Sequence, residues 1–156
     1  MELNQKIASF TLQTDEDETV SLSDYAGQPV VLFFYPRADT PGCTIEACGF
    51  RDTFKKLQAA GAVVLGISRD TPKAQAKFKA KFDLPYTLLC DVDEKVCHQF
   101  GVLKEKNMYG KKVMGIERTT FVIGPDQTLL HVFPKVKPEG HAEQVLELLK
   151  EWKKDA

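Results

Sequence analysis

The side chains best able to do nucleophilic or redox chemistry are four cysteines, at positions 43, 48, 90 and 97. Cys43 has the most informative context, because it follows Thr40-Pro41-Gly42 just after an apolar run. Thr40 suits a helix N-cap and Pro41 the first helical position, which predicts that Cys43 lies in the first turn of a helix. Free backbone N–H groups and the positive end of the helix dipole favour a thiolate there. From these arguments alone, Cys43 is either a nucleophilic thiol or a small buried residue at a helix start.

Cys48 comes five residues after Cys43, on the same predicted helix. Five helical residues place the two Cα atoms ~8.6 Å apart, whereas a disulfide requires less than about 7 Å. Cys48 is thus either a core residue without a redox role or a thiol that reaches Cys43 only after the first helical turns unwind. In the second interpretation, it condenses with a sulfenic acid on Cys43. Gly42 and Gly49 favour that interpretation, because each weakens the helix by ~1 kcal/mol relative to alanine.

The cysteine spacing argues against two other kinds of site. Thioredoxin-type dithiols use C-x-x-C, which is absent from the sequence. Structural zinc sites usually combine two close cysteine or histidine pairs, whereas Cys97 and His98 are adjacent and poorly placed for one ion. Cys90 ends an apolar strand and is expected to be a core residue without an assigned function. Cys97, on a short predicted helix, remains an alternative partner for Cys43.

A cation near Cys43 would stabilise its thiolate, and three arginines are candidates. Arg118 opens a strand whose apolar residues should be buried, so its charge either reaches solvent or meets an anion. An ordinary strand-end arginine is the alternative interpretation of Arg118, and Arg37 and Arg51 compete for the same role. The histidines at 98, 131 and 141 show no ligand spacing, and the acidic residues at 91, 93 and 94 do not continue into a calcium loop.

Hydrophobic periodicity predicts the elements that position these side chains. Strands are predicted at 10–12, 19–22, 30–35, 62–68, 86–90, 118–123 and 129–133, and helices at 43–60, 72–82, 94–100 and 141–153. Residues 103–117 are predicted to be an exposed loop. In the helix that follows Cys43, the residues predicted to line the buried face are Ile45, Phe50, Phe54 and Leu57. The alternation of buried strands and helices predicts an α/β fold with a central mixed sheet flanked by helices.

The composition limits the class of protein. A chain of 156 residues, 43% of them hydrophobic, fits one domain, predicted to span residues 1–156, whose core needs no metal or disulfide. The 21 basic and 22 acidic residues leave no electrostatic footprint for nucleic acid or an anionic membrane. The N-terminal residues lack the apolar segment of a secretory signal, and no apolar run could cross a bilayer. A cytoplasmic location is therefore expected.

Three residues at the predicted site, Pro36, Thr40 and Cys43, match the P-x-x-x-T-x-x-C signature of peroxiredoxins. The longer stretch FFYPRADTPGCTIEACGFRD resembles the bacterioferritin comigratory protein, or peroxiredoxin Q, branch of that family. LGISRDTP, KVCHQFGV and GIERTTFVI resemble it too, so the similarity covers nearly the whole chain. The combined motifs are far more specific than a lone T-x-x-C. The resemblance implies a thioredoxin-like fold with an added N-terminal β-hairpin.

By this resemblance, the chain is expected to reduce hydrogen peroxide and organic hydroperoxides in antioxidant defence, without a metal or organic cofactor. Cys43 is implied to be the peroxidatic cysteine, and Cys48 the resolving cysteine that forms an intramolecular disulfide with it. Thr40 is implied to hydrogen-bond the peroxide, Pro36 to shield the site from water, and Arg118 to hold thiolate and peroxide together. Thioredoxin or a similar dithiol is the implied reductant, and a monomer the implied state. A slow redox carrier or thiol sensor and a metal-binding module are the alternative interpretations.

Overall fold

The computed structural model describes residues 1–155, which form a large sheet, a separate two-stranded hairpin, four α-helices and a 3-10 helix at Leu22–Tyr25. The strands of the large sheet are β1 (Thr11–Thr14), β2 (Thr19–Ser21), β3 (Val30–Phe34), β4 (Val63–Ser68), β5 (Thr87–Cys90), β8 (Thr119–Ile123) and β9 (Leu129–Phe133). The separate hairpin consists of β6 (Leu103–Met108) and β7 (Lys111–Ile116). The helices are α1 (Pro41–Ala59), α2 (Pro72–Phe82), α3 (Lys95–Gln99) and α4 (His141–Asp155).

The large sheet is mixed, with the strand order β2-β1-β5-β4-β3-β8-β9. Strands β3, β4 and β5 run parallel, and α1 and α2 supply the crossovers that parallel pairing requires. The N-terminal hairpin β1–β2 and the hairpin β8–β9 pair antiparallel on either side. This topology confirms the predicted α/β fold of thioredoxin-like type, with its central mixed sheet and N-terminal hairpin.

Strand β3 separates two hydrophobic cores, because successive side chains of a strand point to opposite faces. Val31, Phe33 and Tyr35 face a core that includes Cys43 and residues of α1, α2 and α4. The alternate β3 side chains face a second core, which includes Cys97 of α3. Phe33 stacks on Phe50 of α1 with ring centroids 4.5 Å apart, which holds this helix against the centre of the sheet.

The prediction of a loop at residues 103–117 was wrong. This segment is the hairpin β6–β7, in which Met108 pairs with Lys111. Tyr109 and Gly110 between them have φ values of 53° and 78°, the left-handed geometry that tight two-residue hairpin turns require. Most residues of both strands are exposed, so the sequence carries little of the alternation of apolar and polar residues that marks a strand with one buried face.

The prediction that Ile45 lies on the buried face of α1 was wrong, because 44% of its surface is exposed. The buried positions of this helix are Cys43, Glu46, Ala47, Phe50, Thr53 and Leu57. Ile45 lies two residues from Cys43, and two residues turn a helix by ~200°, so both cannot face the sheet. Within residues 1–155, no helix combines the length and the apolar character needed to span a membrane.

Candidate active site

Helix α1 begins at Pro41, after a loop of residues 35–40 that follows β3. Thr40 occupies the N-cap position in an extended conformation, and its carbonyl oxygen accepts the Thr44 N–H at 2.9 Å. Its side chain, contrary to the prediction of a good N-cap, caps no amide of the helix. The Thr40 hydroxyl instead donates a hydrogen bond to the Arg37 carbonyl oxygen at 2.8 Å. The threonine side chain therefore leaves the amides of the first helical turn to other acceptors.

Cys43 is nearly inaccessible, with 1% of its surface exposed, and its thiol contacts a guanidinium group. Arg118 Nη2 donates a hydrogen bond to Cys43 Sγ at 3.5 Å. Arg118 directly precedes β8, whose Thr119 pairs with Phe34 at the end of β3. The antiparallel register of β3 and β8 thus brings Arg118 close to the carboxyl end of β3, from which the chain leads into α1. A larger residue at position 42 would displace this guanidinium, because a Cβ atom there would lie 2.9 Å from Arg118 Nη2.

The other two candidate arginines point elsewhere. Arg51 donates to the Phe82 carbonyl oxygen at 2.8 Å and to the Asp52 carboxylate at 3.0 Å. Arg37 is exposed. Burial opposes the charge on Arg118, but the negative groups of Glu46 and Cys43 outweigh this effect and raise the pKa of Arg118. Arg118 is thus a fixed cation beside the thiol.

Glu46 is a site residue that the sequence analysis missed. Its carboxylate lies against the same guanidinium, with Arg118 Nη1 donating to Glu46 Oε1 at 2.9 Å. Glu46 Oε2 is buried and has no hydrogen-bond partner within the described part of the chain. Burial raises the pKa of Glu46 to about 7, although the charge of Arg118 acts in the opposite direction. The available signal was an acidic residue three positions after Cys43, since residues at i and i+3 share a helix face.

The loop between β3 and α1 is held by a chain of hydrogen bonds to the neighbouring parallel strand. The Ala38 N–H donates to Asp70 Oδ2 at 2.8 Å, and the Ser68 hydroxyl donates to the same oxygen at 2.6 Å. Gln75 links Ser68 to the buried Tyr35 hydroxyl, which donates to Gln75 Oε1 at 2.6 Å. These hydrogen bonds hold in place the loop that leads from β3 to Cys43.

The other candidate residues lie outside the cluster formed by Cys43, Arg118 and Glu46. Pro36 is half-buried in the loop between β3 and Thr40, and Cys48 is half-buried on α1. All four thiols are free. Cys97 lies in the core on the opposite face of the sheet from Cys43, so the alternative in which it pairs with Cys43 requires the sheet itself to open. Burial, with the charges of Asp15 and Asp70, raises the pKa of Cys90 to about 12.

Known proteins similar to this chain identify its family. A model of the AhpC/TSA family matches residues 3–132. The chain is 55% identical to a putative peroxiredoxin Bcp of Coxiella burnetii, covering 94% of this chain and 97% of that protein. It is 47% identical to peroxiredoxin Bcp of Escherichia coli, covering 91% of each chain.

Solved structures agree with the sequence relatives. A cysteine-to-serine variant of PrxQ from Xylella fastidiosa superposes with a TM-score of 0.94 at 38% identity, covering 98% of both chains. The bacterioferritin comigratory protein of Xanthomonas campestris, described for its alkyl peroxide reduction activity, superposes with a TM-score of 0.87 at 42% identity, covering 91% of this chain and 90% of that one. The chain therefore belongs to the AhpC/TSA family, in its Bcp or peroxiredoxin Q branch, and is a thiol peroxidase.

Proposed function

We propose that this thiol peroxidase uses Cys43 as the nucleophile that reduces hydrogen peroxide and organic hydroperoxides. The observation that carries the proposal is the hydrogen bond from Arg118 Nη2 to Cys43 Sγ at 3.5 Å, in the first turn of α1. A fixed cation and a helix N-terminus both favour the thiolate, which is the reactive form of cysteine. The alkyl peroxide reduction described for the Xanthomonas campestris relative supports organic hydroperoxides as substrates.

The first step is a two-electron oxidation of the sulfur. The Cys43 thiolate attacks the terminal peroxide oxygen, an S–O bond forms and the O–O bond breaks. Sulfur becomes a sulfenic acid, and the departing alkoxide or hydroxide takes a proton to become alcohol or water. Arg118 and the first-turn amides of α1 are the donors available to the negative charge that develops on the departing oxygen.

Thr40 and Pro36 complete the proposed peroxide site. Because the Thr40 hydroxyl proton is donated to the Arg37 carbonyl, its oxygen is oriented as an acceptor. A hydroperoxide O–H donates to that oxygen in our proposal, which aligns the peroxide with the sulfur. Pro36 has no N–H and lies half-buried at the start of the loop, where it limits access of bulk water to the thiolate.

Cys48 is the proposed resolving residue. Its thiolate attacks the sulfur of the Cys43 sulfenic acid, an S–S bond forms, and hydroxide leaves and is protonated to water. Both thiols belong to α1, whose helical spacing is too wide for a disulfide, so the first turns of the helix unwind in this step. Cys48 is half-buried and on the same side of the sheet, whereas Cys97 is fully buried on the other side.

The catalytic cycle closes when an external dithiol reduces the Cys43–Cys48 disulfide and is itself oxidised to a disulfide. We propose thioredoxin or a similar dithiol protein as this reductant, in the cytoplasm, with a monomer as the working unit and residues 1–156 as one domain. No metal or organic cofactor takes part. Hydroperoxide removal of this kind serves antioxidant defence.

The test is turnover of hydrogen peroxide by the parent, Cys43→Ser and Cys48→Ser with a thioredoxin system as electron donor. The parent should turn over, Cys43→Ser should consume no peroxide, and Cys48→Ser should complete one oxidation without recycling. Peptide mapping of the oxidised parent should identify a Cys43–Cys48 link. Peroxide consumption by Cys43→Ser at the parent's rate, or a parent disulfide that omits Cys48, would contradict the proposal.

A further inference from the structure

One buried hydroxyl contacts helix α1 between the two thiols. Tyr86, directly before β5, is 3% exposed, and its hydroxyl donates a hydrogen bond to the Ala47 carbonyl oxygen at 2.6 Å. In the helix, the same oxygen also accepts the Arg51 N–H, four residues on. Ala47 is the residue directly before Cys48, so Tyr86 is hydrogen-bonded to α1 at the residue that precedes the second thiol.

The part of α1 beyond Ala47 has further attachments to the core. Phe50 stacks on Phe33, and Arg51 donates to the Phe82 carbonyl oxygen at the end of α2 at 2.8 Å. Gly49 faces α4, where an added Cβ atom would lie 3.8 Å from the Ala142 Cβ atom. Residues 41–46, by contrast, contact the guanidinium of Arg118 through Cys43 and Glu46. The helix is therefore divided into an N-terminal part that must move and a part that is bound to two other helices and to the sheet.

We propose that Tyr86 is a positioning residue for the resolving step, which ends the unwinding of α1 at Ala47 and makes Cys48 the first residue of a shortened helix. This inference rests on the proposed function, since it presupposes that Cys43 and Cys48 form a disulfide. In the shortened helix, Ala47 takes the N-cap position. Its carbonyl still accepts the Arg51 N–H, and the Tyr86 hydroxyl keeps that carbonyl in place.

The shortening transfers the helix N-terminus from Cys43 to Cys48. The amides of the new first turn no longer have acceptors within the helix, and the positive end of the dipole then lies at Cys48. Arg51, three residues on, adds a cation on the same helix face. The hydrogen bond to Asp52 raises the pKa of Arg51 and burial opposes this, while the negative charge of Cys48 raises it further. The thiolate that attacks the sulfenic acid is thus favoured in the unwound state.

The Tyr86 phenol keeps its proton throughout the cycle. Burial raises the pKa of Tyr86 well above its usual value, and the neighbouring acidic groups of Tyr35, Glu46 and Cys48 act in the same direction. The hydroxyl therefore remains a hydrogen-bond donor to Ala47 whether the neighbouring thiols are reduced, ionised or joined.

Tyr86→Phe tests the proposal, because it removes the hydroxyl and leaves the ring that packs on Phe33 and Phe54. Rapid quenching with a thiol alkylating reagent and mass spectrometry would follow the sulfenic acid, the disulfide and the sulfinic acid of Cys43 separately. The attack on peroxide should stay within about twofold of the parent. Disulfide formation should slow about fivefold to tenfold, as expected for one hydrogen bond, with more sulfinic acid at equal peroxide concentration.

Tyr25→Phe is the matched control, since Tyr25 is half-buried and its hydroxyl makes no hydrogen bond within residues 1–155. It should leave both steps unchanged. Equal rates of disulfide formation in Tyr86→Phe and the parent would overturn the proposal, as would an equal loss in both steps, which indicates a structural role only. If Tyr86→Phe does not fold, Arg51→Gln should show the same selective loss of the disulfide step, and an unchanged rate there overturns the proposal.

Hydrogen exchange on the disulfide form of the parent locates the end of the unwinding directly. The amides of residues 44–50 should lose protection, whereas the Arg51 amide should keep it, because its acceptor on Ala47 survives. Loss of protection that extends past Arg51 would overturn the assignment of Tyr86. A parent that forms no Cys43–Cys48 disulfide contradicts the proposed function instead, so the two failures are distinguishable.

Discussion

Cys43 and Cys97 are almost equally buried, with 1% and 0% of their surfaces exposed, yet their surroundings have opposite charge. Cys43 begins a helix and receives a hydrogen bond from Arg118. Cys97 lies beside the fully buried Asp91, whose carboxylate accepts the backbone N–H of Cys97 at 2.7 Å. Burial raises the pKa of the Cys97 thiol far above its usual value, and the Asp91 carboxylate raises it further. Burial alone therefore does not decide which thiol reacts.

We propose roles for the groups around Cys43 that the groups around Cys97 do not have. Arg118 supplies the positive charge, Glu46 holds its guanidinium, and the first turn of α1 supplies amide donors. At Cys97, the first amides of α3 are used by Asp91, which accepts the N–H groups of Val96 and Cys97. In our proposal the start of α1 is left available to a substrate, whereas the start of α3 is closed by the Asp91 side chain.

The largest expected effect is the difference in peroxide consumption between variants that lack Cys43 and variants that lack Cys97. Cys43→Ala should reduce peroxide consumption at least about a thousandfold, because it removes the nucleophile. Cys97→Ala should leave the rate per folded molecule within about twofold, since that thiol faces a carboxylate on the other side of the sheet. Stopped-flow peroxide consumption measures both variants. A larger loss in Cys97→Ala than in Cys43→Ala would reverse the comparison.

The next effect concerns the cation that distinguishes the two sites. Arg118→Ala should slow the attack on peroxide about a hundredfold to a thousandfold, as expected when a donor to a developing anion is removed. Arg69→Ala is the control, because Arg69 bonds the Glu94 carboxylate and the Met114 carbonyl instead of a thiol. The second-order rate of Cys43 oxidation is the quantity to compare. If the rate did not change in Arg118→Ala, the role assigned to the guanidinium would be wrong.

A smaller effect is expected at Glu46. Glu46→Gln keeps an oxygen that can accept from Arg118 but removes the charge, and should slow peroxide attack about fivefold, the loss expected when a hydrogen bond to a charged group becomes neutral. Glu143→Gln, on the exposed side of α4, should leave the rate unchanged. An equal rate in Glu46→Gln and the parent would show that the carboxylate does not help to hold Arg118.

Stability should depend on pH through the same carboxylate. The pKa of Glu46 is about 7 in the folded chain, against 4.5 when it is unperturbed. Between these values the folded state retains a proton that the unfolded state has released, so the contribution of Glu46 falls as pH rises from about 4.5 to 7. Urea unfolding across this range should show a loss on the order of 1 kcal/mol per pH unit in the parent that is absent in Glu46→Gln. Parallel profiles would contradict the raised pKa.

The sequence was most informative where local and global signals agreed. Pro41 at the first helical position and the apolar run of β3 predicted the junction between strand and helix, and Cys43 lies at that junction in the structure. Glu46 was missed because its importance depends on Arg118, 72 residues away along the chain and brought close by the β3–β8 register. The Thr40 hydroxyl was predicted to cap the helix, because the sequence cannot show its hydrogen bond to the Arg37 carbonyl oxygen. Ile45 was predicted to be buried because it is hydrophobic, although its position along the helix turns it away from the sheet.

The hairpin β6–β7 was missed for a different reason. Its strands are joined by Tyr109-Gly110, and apart from Leu103 and Ile116 at the base, which pack on the core, most of their residues are exposed. Hydrophobic periodicity detects elements that pack on a core, and it therefore detected the sheet that positions Cys43 but not this hairpin.

The central claim is tested most directly by trapping the sulfenic acid in Cys48→Ser, which cannot form the proposed disulfide. One equivalent of hydrogen peroxide followed by a dimedone-type reagent should label a single residue, to be located by peptide mapping. We expect the adduct on Cys43, with Cys90 and Cys97 unmodified. An adduct on Cys90 or Cys97 with Cys43 still reduced would contradict the assignment of Cys43 as the peroxide-attacking thiolate.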